Sequence, residues 1–145
     1  MKRFLVVLAL SVAASSVVVG CEPQSAQEPN APQTTPAYAV LVLRKAAVEA
    51  DLAQLSELFT SDHPSIGSKR FELQAISLEM NKMLAVNQAR TAKLSSSVGN
   101  LILSKVALEV ELNELSSKFT SQHPEIKKKT LELAALEREI ENIFR

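Results

Sequence analysis

The residues best equipped for chemistry lie in two short segments sixty positions apart. Thr60-Ser61-Asp62-His63-Pro64 and Thr120-Ser121-Gln122-His123-Pro124 each follow a phenylalanine, and between them they hold both histidines of the chain. An imidazole among hydroxyls has two familiar uses, as a transition-metal ligand or as a base that activates a nucleophile. Neither use is completed by the spacing. The chain has no His-x-x-x-His or Glu-x-x-His, and its one cysteine, Cys21, is distant in sequence, so no zinc-type ligand set can be written. Ser95-Ser96-Ser97 has neither a neighbouring histidine nor the glycines of a nucleophile elbow. Asp51, Glu57 and Glu79 stand among lysines and arginines at helical spacing, which a solvated helix face explains. The expectation is a protein that is not an enzyme and carries no metal or cofactor.

The two segments belong to a larger repetition. Residues 41–85 laid over 101–145 without a gap share 19 identities, among them Leu41/Leu101, Lys45/Lys105, Glu49/Glu109, Leu52/Leu112, Leu55/Leu115, Phe59/Phe119, Ile66/Ile126, Glu72/Glu132 and Glu79/Glu139. A fixed period points to a repeated structural unit. Thr60, Ser61, His63, Pro64 and their counterparts Thr120, Ser121, His123 and Pro124 are therefore read first as a structural turn.

From Tyr38 onward the only prolines are Pro64 and Pro124, and the only glycines are Gly67 and Gly99. Such a stretch reads as all-α. Leu41, Lys45, Val48, Leu52, Leu55 and Phe59 alternate steps of four and three, and Leu101, Lys105, Leu108, Leu112, Leu115 and Phe119 repeat them, which is a heptad seam for lengthwise helix packing. Lys45 and Lys105 would weaken the seam locally and help to set its register. Each proline suits the first residue of a helix and disfavours helix in the histidine before it, so a helix ends near Phe59-Thr60 and another starts at Pro64. Thr60, Ser61 and Asp62 offer oxygens to cap that start. The expected fold is a duplicated pair of antiparallel helical hairpins forming a coiled coil, with the first repeat at 38–97 and the second at 98–145.

The join between the repeats allows two readings. Gly99 costs a helix about 1 kcal/mol relative to Ala, so Ser95 to Asn100 could break it. The seam nevertheless continues through Leu94, Val98 and Leu101, and sixty is eight heptads plus four, a stutter that a continuous helix can absorb. Unbroken, residues 64–119 would form one long central helix of about 84 Å, bent near Gly99. This is the favoured expectation, with a compact bundle as the alternative. Lys127-Lys128-Lys129 reads as a solvated face, and Met80, Met83 and Leu84 as core.

Residues 1–20 have the layout of a secretory signal: Lys2 and Arg3, an apolar run from Phe4 to Ala14, and a small residue, Gly20, at the end. Val18-Val19-Gly20-Cys21 resembles the lipobox of bacterial lipoproteins. That resemblance implies that Cys21 receives a diacylglycerol, that the signal is cut before it, and that the new amino terminus is acylated, as by palmitate. Two or more acyl chains at about 0.8 kcal/mol per buried methylene anchor a protein stably where one does not. An uncleaved span is the competing reading, but Phe4–Gly20 is at the bottom of the roughly 17–25 residues needed and Ser11, Ser15 and Ser16 interrupt it.

Residues 22–37 follow as a polar tether with Pro23, Pro29, Pro32 and Pro36 and no large apolar side chain. Extended, sixteen residues reach on the order of 50 Å. Without residues 1–20 the chain keeps 14 basic and 16 acidic residues, a net charge of −2, and the full sequence has no Trp, one Tyr and five Phe. That composition argues against nucleic acid as a partner.

Leu52-x-x-Leu55-x-x-x-Phe59-Thr60-x-x-His63-Pro64-x-Ile66, and the same residues sixty further on, resemble the coiled-coil hairpin motif of bacterial polysaccharide co-polymerases, the chain-length determinant proteins, in which Tyr usually stands where this chain has Phe59 and Phe119. The chain lacks that family's paired transmembrane helices and kinase-like segment. The resemblance implies the helical hairpin and suggests a link to surface polysaccharide export. The expected protein is an envelope lipoprotein, facing the periplasm from the outer membrane because Glu22 rather than Asp follows Cys21. It would act as a coiled-coil scaffold or adaptor, through self-association or a helical partner. The alternative is a small periplasmic binding module, a chaperone or a stress or metal sensor.

Overall fold

The computed structural model describes residues 31–145, so the signal segment and Cys21 lie outside the described residues. Four α-helices account for most of the rest: α1 (Pro36–Leu58), α2 (Pro64–Leu84), α3 (Ser96–Ser116) and α4 (Pro124–Phe144). Two 3-10 turns, Ala31–Thr34 and Gln88–Lys93, precede α1 and α3. No strand occurs among the described residues, and the fold is all-α.

Each helix begins where the local chemistry requires it. Pro36, Pro64 and Pro124 occupy the first turns of α1, α2 and α4, where the missing amide costs nothing. Thr35 caps α1 by accepting from the Tyr38 amide, and Ser95 caps α3 by accepting from the Val98 amide. The folded part reaches further back than Tyr38: Pro32 and Thr35 are buried, Ala37 is fully enclosed, and the Ala37 amide donates to the Leu94 carbonyl over 3.1 Å.

The long central helix does not form. α2 stops at Leu84, Asn87 caps the 3-10 turn Gln88–Lys93 by accepting from the Ala89 amide, and Ser95 starts α3. The connection works because Leu94, which continues the seam in sequence, leaves the helical path and is buried at the end of the core. The break therefore precedes Gly99, which lies buried inside α3. Its lack of a side chain serves close packing: a Cβ there would lie 2.9 Å from the Ala37 carbonyl oxygen and 3.0 Å from the Val40 Cβ. Gly67 is different, being exposed on α2 with nothing within 4 Å of a Cβ. Gly67→Ala should raise stability by about 1 kcal/mol, read as a higher melting temperature, because only helix propensity changes there.

The helices pack as a bundle around α3, which contacts α1, α2 and α4, while α1 and α2 also pack on each other. Leu41, Val48, Ile76, Met83, Leu94, Ile102 and Val106 form the core, each worth about 1.5–3 kcal/mol when fully removed from water. The seam expected from the sequence is buried at Leu41 and Val48, partly buried at Leu52 and Leu55, and exposed at Phe59. α4 is held least deeply, with only Ile126 and Ile140 buried along it.

Ion pairs give the helix directions. Arg44 meets Glu72 and Asp51 meets Lys69, so advancing along α1 means retreating along α2. Glu111 meets Lys129 and Lys105 approaches Glu137, which gives the same sense for α3 and α4. Gly99 lies against Ala37 and Val40, so α1 and α3 start together. Both Phe-Thr-Ser-x-His-Pro turns consequently lie at one pole. The chain enters the fold at the other, where Arg90 also donates to the Phe144 carbonyl.

Candidate functional site

Each turn is built from its own few residues. The His63 amide donates to the Thr60 carbonyl over 3.0 Å, and the His123 amide donates to Thr120 over the same distance. The chain thus reverses on a four-residue turn. His63 is itself the cap of α2: its Nδ1 accepts from the Ser65 amide at 3.3 Å, as the Nδ1 of His123 does from the Glu125 amide. The hydroxyls of Thr60 and Ser61 do not take that part; Ser61 donates to the Asp62 carboxylate instead. The reason is reach. With extended backbone at the residue before proline, the imidazole folds over the first turn of the helix and presents Nδ1 to the free amide. An accepting Nδ1 carries no proton, which fixes the neutral ring as the Nε2–H tautomer.

The other side of each imidazole stacks on the preceding phenylalanine. Ring centroids are 4.1 Å apart for Phe59 and His63 and 4.3 Å for Phe119 and His123, with planes inclined by 24° and 25°. Below the turns the ion pair Lys69–Asp51 recurs sixty residues later as Lys129–Glu111. The hydrogen bond from Lys69 holds the Asp51 carboxyl below its ordinary range, and the bond to Glu111 holds the Lys129 ammonium above its own. Both pairs are solvent-facing and add little stability. Ile66 and Ile126 are buried beneath the two turns.

The pole carries three exposed apolar side chains among polar turn residues. Phe59 and Phe119 remain 42% and 46% exposed despite their stacking, and Leu58 beside Phe59 is more exposed still. Thr60, Ser61, Thr120, Ser121, Pro64 and Pro124 are exposed as well, while His63 and His123 are half-buried. His63→Ala should cost about 1 kcal/mol through loss of the cap, and His63→Asn should restore part of it, since asparagine caps well but cannot stack on Phe59. Chemical denaturation of the three proteins measures the difference.

A second charged centre was not legible as a site. Lys105 has a side chain only 7% exposed, and its Nζ donates to Glu79 at 2.9 Å and Glu109 at 2.6 Å, with Glu137 at 3.8 Å. Lys82 also donates to Glu79, at 2.7 Å. Burial pushes the Glu79 carboxyl up, but hydrogen bonds from Lys82 and Lys105 and their charges outweigh it and leave it below its ordinary value. Burial likewise pushes the Lys105 ammonium down, and Glu109 and Glu79 more than compensate. Lys45, its counterpart, is 37% exposed and among the described residues pairs only with Glu49. The sequence signal was a lysine on an apolar seam. Its deeper burial follows from α3 having three helical neighbours.

No protein-family model, curated protein or solved structure matches the chain. Among the described residues no group of three or more His, Cys, Asp or Glu side chains is gathered to hold a metal, and no helix is long and apolar enough to cross a membrane.

Proposed function

We propose that this chain is a bacterial envelope lipoprotein, lipid-anchored at Cys21 and facing the periplasm. Its duplicated antiparallel hairpins would work as a coiled-coil scaffold that docks a helical envelope partner or a second copy at the twin turns. The observation that carries the reading is the placement of both Phe-His turns at the pole opposite the chain entry, with Phe59 and Phe119 partly exposed. A tether attached at one end keeps the other end free to meet a partner. Helices of 21 to 23 residues extend about 30–35 Å, and residues 22–30, the part of the tether left outside the fold, would add about 28 Å if extended, which sets the turns well away from the lipid surface.

Recurrence of the cap, the stack and the Lys–carboxylate pair at the sixty-residue period supports two equivalent hairpins. It also favours a symmetric or repeated contact. The likeness of the turn to the polysaccharide co-polymerase hairpin motif makes surface polysaccharide export the process to test first, and normal polymer amount and length in a deletion strain would remove that link.

The anchor is tested by Cys21→Ser. The native chain should partition with membranes and acquire labelled palmitate, and the variant should lose the label, staying at the membrane only as a precursor that keeps residues 1–20. An unchanged membrane fraction carrying label in the variant would overturn the anchor.

A further inference from the structure

Beyond the scaffold reading, we propose a small-ligand site for amphiphilic cations in the groove between α2 and α4, over α3. The groove is half open to solvent, offers about 480 Å³ and is lined on its apolar side by Met83, Val86, Ile102, Ile140 and Phe144. That volume falls in the range of small-molecule sites, which combine apolar walls with a few placed polar groups. It stays open because α4 packs on α3 and the Gln88–Lys93 turn without packing closely on α2.

Its charges specify the sign of the ligand. Lys82 and Lys105 are both engaged by Glu79, and Lys105 by Glu109 as well. Glu137 and Glu141 remain on the α4 wall. Glu137 has Lys105 only at 3.8 Å, and Glu141 forms no ion pair among the described residues. Two carboxylates four residues apart on a helix repel each other by a few tenths of a kcal/mol, and among the described residues only Glu137 has a cation near it, Lys105 at 3.8 Å. The first repeat has Ser77 and Asn81 at the matching positions, so the acidity is particular to this wall. An ammonium or guanidinium between Glu137 and Glu141 would remove the repulsion while its apolar body covers Met83, Ile102 and Phe144. The length of the groove favours a small molecule over a helix: residues 137–144 span only about 10 Å.

The test is titration of the full chain, reconstituted in lipid nanodiscs, with n-octylammonium, followed through the methyl signals of Met83, Ile102 and Ile140. Saturable shifts at these methyls, absent from Ile66 and Ile126 at the other pole, are expected. Octanoate and octanol should produce much weaker shifts. Glu137→Gln with Glu141→Gln should weaken octylammonium binding about tenfold, and Glu141→Gln alone, at an exposed position with no ion pair among the described residues, should weaken it in part while leaving the melting temperature in place. The site is overturned if the groove methyls do not move, if octanoate moves them equally, or if the double variant binds as tightly as the native chain.

Discussion

Lys105→Met should lower the melting temperature by roughly 10–15 °C. Removing one partner of a buried ion pair costs about 3–5 kcal/mol because the remaining charge is left without compensation. The low end applies here, since Glu79 retains Lys82 and Glu109 is partly exposed. At about 4 °C per kcal/mol for a domain of this size, the shift follows. Replacing Glu79 with leucine in the same protein should recover most of it, because a buried pair exchanged for apolar side chains of similar volume is often neutral.

The same centre sets the pH dependence. Glu79 has a folded-state value below 4.5, so its contribution is present above 4.5 and is lost as pH falls through the depressed value. Lys105 has a folded-state value above 10.5, so its contribution is present below 10.5 and is lost as pH rises through the raised one. Melting temperature should therefore fall on both the acid and the alkaline side of a plateau. Both flanks should be shallower in Lys105→Met.

Gly99→Ala should cost about 2 kcal/mol, a change opposite in sign to that of Gly67→Ala. In a solvated helix the substitution would gain about 1 kcal/mol. Within α3 the added methyl meets the Ala37 carbonyl oxygen at 2.9 Å and the Ala37 Cα at 3.0 Å, backbone atoms that cannot rotate aside. The start of α1 would have to move, disturbing the bond from the Ala37 amide to Leu94, and overpacking of this kind costs about 1–3 kcal/mol. The experiment also separates the two topologies open to the sequence. In a long central helix bent near residue 99 the substitution would stabilise; in the bundle it destabilises.

These residues illustrate what the sequence makes legible. Pro64, Pro124 and the helical periodicity around them are local signals, and the helix starts follow from them directly. The path of residues 85–95 does not, because Leu94 satisfies a heptad and a buried loop position equally well, and only the packing of α1 against α3 separates the two. In the sequence Gly99 marks a bend or a break because its propensity cost is a property of the residue, whereas the close approach of Ala37 is a property of the fold. His63 and His123 were placed at the turns by Pro64 and Pro124. Their capping role depends on how an imidazole folds over a helix start, which spacing alone does not distinguish from capping by Thr60 or Ser61. The depth of Lys105 and the groove beside it arise from three helices meeting, so they have no one-dimensional signature.

The central claim is that the twin turns form the docking face of a tethered scaffold, and site-specific photocrosslinking in intact cells tests it most directly. Crosslinkers placed at Ser61 and at Ser121 should each capture the same discrete envelope protein, or a second copy of this chain, and one at Gln88 on the opposite pole should not. Phe59→Ala with Phe119→Ala should abolish the product while the protein remains folded and anchored. Equal capture from Gln88, or no discrete product from either turn in cells that carry the anchored protein, would contradict it.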